Sequence, residues 1–131
     1  GMIAEKITSV PGSSDVFGFG FVTYANQAKE TLLGVDTLKE HGAVSEETAI
    51  SMAEGALQKS GSDLSIAVTG IAGPGGGTDE KPVGLVYIAA AQKGGKTLCK
   101  KHQFSGSRDR NRTMTAMTAL SMLRKILLES K

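Results

Sequence analysis

Tyr24 and Lys29 stand five positions apart in the run TYANQAK, and a serine pair, Ser13-Ser14, precedes them in the turn VPGSS. A hydroxyl becomes a nucleophile when a neighbouring base takes its proton. A lysine serves as that base if burial lowers its pKa towards neutrality, and a tyrosine relays the proton. Tyr24 is expected to end a strand and Lys29 to lie one turn into the next helix, so both can point into one crevice. The spacing equally admits Lys29 as a solvated helix residue pairing with nearby carboxylates.

The second stretch with chemical potential is VTGIAGPGGGTDEKPVG, residues 68–84, which holds six of the chain's 17 glycines between two apolar runs. So much permissive backbone is either a plain connector or a way to bring main-chain amides close to a ligand. No Lys-Ser/Thr pair follows the glycines, and a strand, not a helix, comes next, so neither the phosphate-loop nor the dinucleotide pattern is met. Its position is more telling than its composition, because open α/β sheets bind ligands beyond the carboxyl ends of strands and this loop starts at one. Thr69 and the amides of residues 70–77 can form an anion-binding nest.

Other chemistries have little support. Neither histidine has a partner at metal-ligand spacing, and Cys99 sits alone among lysines. A net charge of +2 is too small for a nucleic-acid face, and the arginines at 108, 110 and 112 form only a local cluster. With one cysteine, no signal peptide and no apolar stretch of about 20 residues, the chain is expected to be cytoplasmic and off the membrane.

The elements that must position these residues follow from periodicity. A length of 131 residues predicts one domain. A helical stub near residues 3–7 leads into the VPGSS turn, and FGFGFVTY (17–24) predicts a strand with one bare face. Short helices are predicted over 26–33, stopped by Gly34, and over 35–40. Ser45 caps a helix to about residue 60, with Ala49, Met52, Ala53, Ala56 and Leu57 on one face. Strands follow at 64–69 and 83–91, and the turn Lys93-Gly94-Gly95-Lys96 returns 97–104 antiparallel to its predecessor. Ser107 caps a final helix whose predicted buried stripe is Met114, Met117, Leu120, Leu123, Ile126 and Leu127, the methionines being core filler. Alternating strands and helices broken by one hairpin predict a three-layer α/β/α sandwich with a mixed, mostly parallel sheet.

Taken together, VPGSS at 10–14, Tyr24-x-Asn26-x-Ala28-Lys29, HGAVSEE at 41–47, VTGIAGPGGG at 68–77 and KPVG at 81–84 resemble the C-terminal domain family of competence/damage-inducible protein A, CinA. The resemblance covers essentially the whole chain. It implies a nicotinamide mononucleotide (NMN) amidohydrolase of pyridine nucleotide salvage, which turns a carboxamide into a carboxylate, releases ammonia and needs no metal or cofactor. It further implies that Tyr24 and Lys29 are catalytic, that Ser14 is the candidate nucleophile, and that Thr69, Gly70, Gly73, Gly75 and Gly76 form the substrate loop. In the last helix the family shows Gly-Asp-Arg, two residues, an apolar residue and Arg. Here GSRDRNR (106–112) keeps Arg108 and Arg112, either of which can meet a nucleotide phosphate, while Ser107 replaces the aspartate and Asn111 the apolar residue.

The family also carries Glu-Ser-Cys-Thr-Gly-Gly just ahead of the residues matching Met2-Ile3-Ala4. Gly1-Met2 reads as a tag remnant before a start methionine, so the expectation is one domain, residues 1–131, lacking that first segment. Two readings stay open: an amidohydrolase using Ser14 or a Lys29-activated water, and a non-catalytic nucleotide-binding or assembly domain. Apolar surface uncovered at a shortened edge would favour a homo-oligomer.

Overall fold

Residues 85–92, LVYIAAAQ, are nearly all apolar, without the polar alternation of a strand that has one wet face, and they form the centre of the sheet. The computed structural model describes residues 1–130. Strands β1 (Leu64–Gly70), β2 (Leu85–Gln92) and β3 (Leu98–Gln103) lie side by side in that order. Both pairings are antiparallel, with Thr69 opposite Tyr87 and Tyr87 opposite Lys101. The predicted return of 97–104 onto its predecessor is what is found. The mostly parallel sheet is not. A parallel neighbour needs a crossover long enough to hold a helix, and the glycine-rich segment between β1 and β2 closes as a hairpin, with Ile71 N donating to Leu85 O and Gly84 N to Ile71 O.

Alternation along the strands divides the core. Ala67, Ala89 and Ala91 face α4 (Glu46–Ser60) through its Ala49, Met52 and Ala53, together with Leu33 and Val35. Val86 and Ile88, with Ile66 and Val68 beside them, face Ala119 and Met122 of α5 (Arg108–Glu129) and Ile3 of α1 (Met2–Thr8). Helices therefore cover both faces of the sheet. α4 starts where its cap predicts, Ser45 Oγ accepting from Thr48 N at 3.1 Å, and Ser107 Oγ accepts from Arg110 N at the start of α5. α2 (Asn26–Leu33) ends at Gly34, whose φ of 67° is the left-handed conformation glycine adopts without cost. α3 is shorter than the periodicity suggests, Leu38–His41. No helix among the described residues is long and apolar enough to cross a membrane.

Two further expectations fail for physical reasons. Residues 17–24 are extended but belong to no strand. Strand-forming composition becomes a strand only against a partner ladder, and this segment has none, leaving Phe19, Val22 and Tyr24 exposed. On α5 the buried positions are Asn111, Ala116 and Ala119, while the predicted Met117 and Leu127 are more than half exposed. Alanines let the helix approach the sheet closely, so the seam runs along small residues, not along the large ones that dominate the pattern.

Candidate functional site

At the carboxyl end of β1 the chain enters the glycine loop, residues 71–84. Gly73 has φ 88°, and a Cβ there would sit 2.5 Å from Val83 Cγ1, so only glycine lets the loop fold back on its own exit. Thr78 N donates to Lys81 O, and Lys81 Nζ reaches His41 O at 2.9 Å, tying the far side of the loop to α3. Thr69 is buried and donates its hydroxyl to Ala43 O at 2.7 Å, so it fastens the strand end to the α3–α4 connection. A Cβ on Gly70 would meet Val86 Cγ2 at 2.7 Å, which makes this glycine a requirement of strand packing. Gly75 is different. Nothing lies within 4 Å of where its Cβ would be, so that stretch of backbone faces open space.

The first turns of α5 grip the loop. Arg108 Nη1 donates to Gly73 O at 2.9 Å, and Arg108 Nη2 donates to the Tyr24 hydroxyl at 2.9 Å. One guanidinium thus joins the glycine loop to the end of the extended segment, using the planar fork that suits arginine to two acceptors at once. Tyr24 remains 83% exposed and open to a ligand.

Lys29 is only 7% exposed, because α2 turns it back under the segment that precedes it. Its Nζ donates to Thr23 O at 2.7 Å, and no carboxylate among the described residues is within ion-pair distance. Burial lowers its pKa from the ordinary lysine value of 10.5. Lys29 is therefore not a solvated partner of surface carboxylates. Its amine bonds the carbonyl of Thr23, the residue before Tyr24, and burial shifts it in the direction a lysine base requires.

Arg108 joins Tyr24 and Gly73, and Lys29 is bonded to the carbonyl of Thr23, the residue before Tyr24; two other expected residues do not join them. Ser14 is exposed on the 3-10 turn Ser13–Asp15, and its hydroxyl makes no hydrogen bond among the described residues. Arg112 is exposed and lies 3.8 Å from Asp109 within its own helix, not on the loop. Asn111, which sequence reading passes over as a departure from a pattern, proves to hold the loop, its Nδ2 donating to Ala72 O at 3.0 Å.

A cavity of about 530 Å³ lies elsewhere, lined by His41, Ser45, Glu47, Lys81, Tyr87 and Cys99 among others, and includes none of Tyr24, Lys29 or Arg108. Its Cys99 thiol is pushed up to about 11 by burial and by the charges of Glu46 and Glu47, which keeps it protonated and unreactive.

The family description "CinA C-terminal domain" matches residues 1–127. This chain belongs to that family. A CinA-like protein of Geobacter sulfurreducens is 58% identical over 98% of this chain, which spans 31% of that relative's length. A solved competence/damage-inducible protein, CihA, from Agrobacterium tumefaciens superimposes with a TM-score of 0.93 at 48% identity, covering 95% of this chain and 78% of that one. The competence damage-inducible protein A (ComA) of Klebsiella pneumoniae gives 0.94 at 33% identity, covering 100% and 82%. The chain is an α/β member of the CinA superfamily and corresponds to about a third of its longer curated relative.

Proposed function

We propose that this CinA C-terminal domain is a cytoplasmic NMN amidohydrolase of pyridine nucleotide salvage, on a three-layer α/β/α frame. The observation that carries the reading is the buried Lys29, bonded to Thr23 O and without a carboxylate partner among the described residues, next along the chain to a tyrosine that Arg108 clamps to the glycine loop. Neutral Lys29 accepts the proton of the nucleophile, either Ser14 Oγ or a water, as it adds to the carboxamide carbon. Tyr24 passes the proton between them. Collapse of the tetrahedral adduct breaks the C–N bond, and the leaving nitrogen takes a proton to depart as ammonia. With water as nucleophile the carboxylate is then complete. With Ser14 an ester remains, which a second water hydrolyses. Loop amides stabilise the oxyanion or hold the phosphate, Thr69, Gly70, Gly73, Gly75 and Gly76 shaping that cradle, and Arg108 supplies the positive charge at its rim, with Arg112 further along the helix.

A non-catalytic, nucleotide-binding role is the second reading, and the exposed, unconnected hydroxyl of Ser14 favours it. Exposed Val16, Phe19 and Val22 support self-association through residues 16–22. NMN titration by calorimetry and a coupled ammonia assay test the choice, with Gly75→Val and Ser14→Ala as variants. The valine side chain enters open space, so the fold survives and NMN binding is lost if the loop cradles the ligand. Ammonia release that survives Ser14→Ala assigns attack to water; binding without ammonia release selects the second reading. No binding at all sinks both.

A further inference from the structure

Of the three buried residues of α5, Asn111 alone is polar, and it is 1% exposed. Its Nδ2 donates to Ala72 O at 3.0 Å and to Gly106 O at 3.2 Å. Its Oδ1 is equally enclosed and has no partner among the described residues. Turning the amide over gives no relief, because the oxygen would then face both carbonyls. A buried acceptor without a donor costs stability, and an apolar side chain of similar volume avoids that cost. Packing alone therefore disfavours asparagine here. Departures of this kind concentrate where a site must be held in place.

What Asn111 holds is the glycine loop. Ala72 and Gly73 present consecutive carbonyls to α5, and Asn111 takes the first while Arg108 takes the second. The two side chains are three positions apart and so lie on one face of the helix. Arg108 is itself exposed, so the buried Asn111 is the fixed point of the pair. We propose that Asn111 is a positioning residue: by fixing Ala72 it sets the Gly73 carbonyl, and through it aims the Arg108 guanidinium at Tyr24 and at the phosphate monoester of a ligand on the loop. This rests on the reading of the loop and Arg108 as a mononucleotide site.

Asn111→Leu removes the hydrogen bonds and the unpaired acceptor together while keeping the volume; Asn111→Ala replaces it if the leucine variant does not fold. Melting temperature, hydrogen exchange of amides 71–77 and calorimetric affinity for NMN are measured on the whole chain, alone and with Arg108→Ala. In the leucine variant the melting temperature is expected to stay level or rise, loop exchange to quicken by about tenfold or more, and NMN affinity to fall by about tenfold. With Arg108 already alanine, Asn111→Leu should cost no further affinity, since coupled residues do not add. A melting temperature that falls in step with affinity makes Asn111 a structural brace and overturns the proposal, as does unchanged loop exchange. If the parent chain does not bind NMN, the nucleotide reading fails separately, and loop exchange decides Asn111: effects of the two substitutions that overlap support positioning, and simple addition refutes it.

Discussion

Arg108 at the start of α5 donates to the hydroxyl of Tyr24, 84 residues earlier in the chain, at 2.9 Å. The same guanidinium holds Gly73 O, so a single side chain couples the extended segment, the glycine loop and the last helix. Lys29 donates to the carbonyl of Thr23, the residue before that tyrosine, and burial lowers its pKa.

Lys29→Met should abolish ammonia release, a loss of about 10²–10⁴-fold for a removed general base, without lowering the melting temperature. The pH dependence carries its own sign. Lys29 has a folded-state pKa below the unfolded value of 10.5, so the cost of burying its charge is fully present below the folded pKa. As pH rises through that value the folded state sheds its proton first and stability is regained, completely so above 10.5. Melting curves of the two proteins should therefore converge as the solution becomes alkaline, and wild-type activity should climb over the same range. An active methionine variant would remove Lys29 from the chemistry.

Cys99 should resist alkylation. With its thiol pushed from 9.0 to about 11, the thiolate fraction near neutral pH is about a hundredfold below that of an ordinary cysteine. Glu46→Gln with Glu47→Gln removes the two carboxylate contributions and should quicken reaction with iodoacetamide, though less than unfolding does, because burial is the larger cause. Labelling as fast as that of a free thiol would mean that the cavity around Cys99 is open to water and reagent.

What the sequence discloses here is local. The caps at Ser45 and Ser107 could be read because a hydroxyl ahead of a helical period acts within one turn. The 93–96 turn was legible for the same reason, since glycine fixes it without distant partners. Residues 17–24 misled because a ladder depends on a neighbour that composition does not name, and the direction of β2 misled because glycines serve a hairpin as readily as a crossover. Within the candidate site, Arg108 reaches Tyr24, while Lys29 bonds the carbonyl of Thr23, and its burial depends on how the preceding segment folds over α2. Asn111, between two arginines, has the composition of a wet surface; only the approach of the loop to α5 encloses it.

His102 should make the protein sensitive to mild acid. Its imidazole stacks on Phe104, ring centroids 5.6 Å apart, and its Nε2 is buried without a hydrogen-bond partner among the described residues. Burial, and then the charge of Lys100, hold its pKa below the ordinary 6.5. A depressed histidine is neutral in both states above 6.5, so nothing is lost there. As pH falls below that value the unfolded chain takes up a proton that the folded chain resists, and stability declines until the folded pKa is passed. His102→Phe keeps the stacking, removes the unpaired nitrogen and should flatten this limb. Melting temperatures between about pH 7.5 and about pH 5 check it, a window chosen to stay above the carboxylate titrations. The wild type should lose stability across that range relative to the phenylalanine variant, and parallel curves would show that His102 is free to protonate in the folded protein.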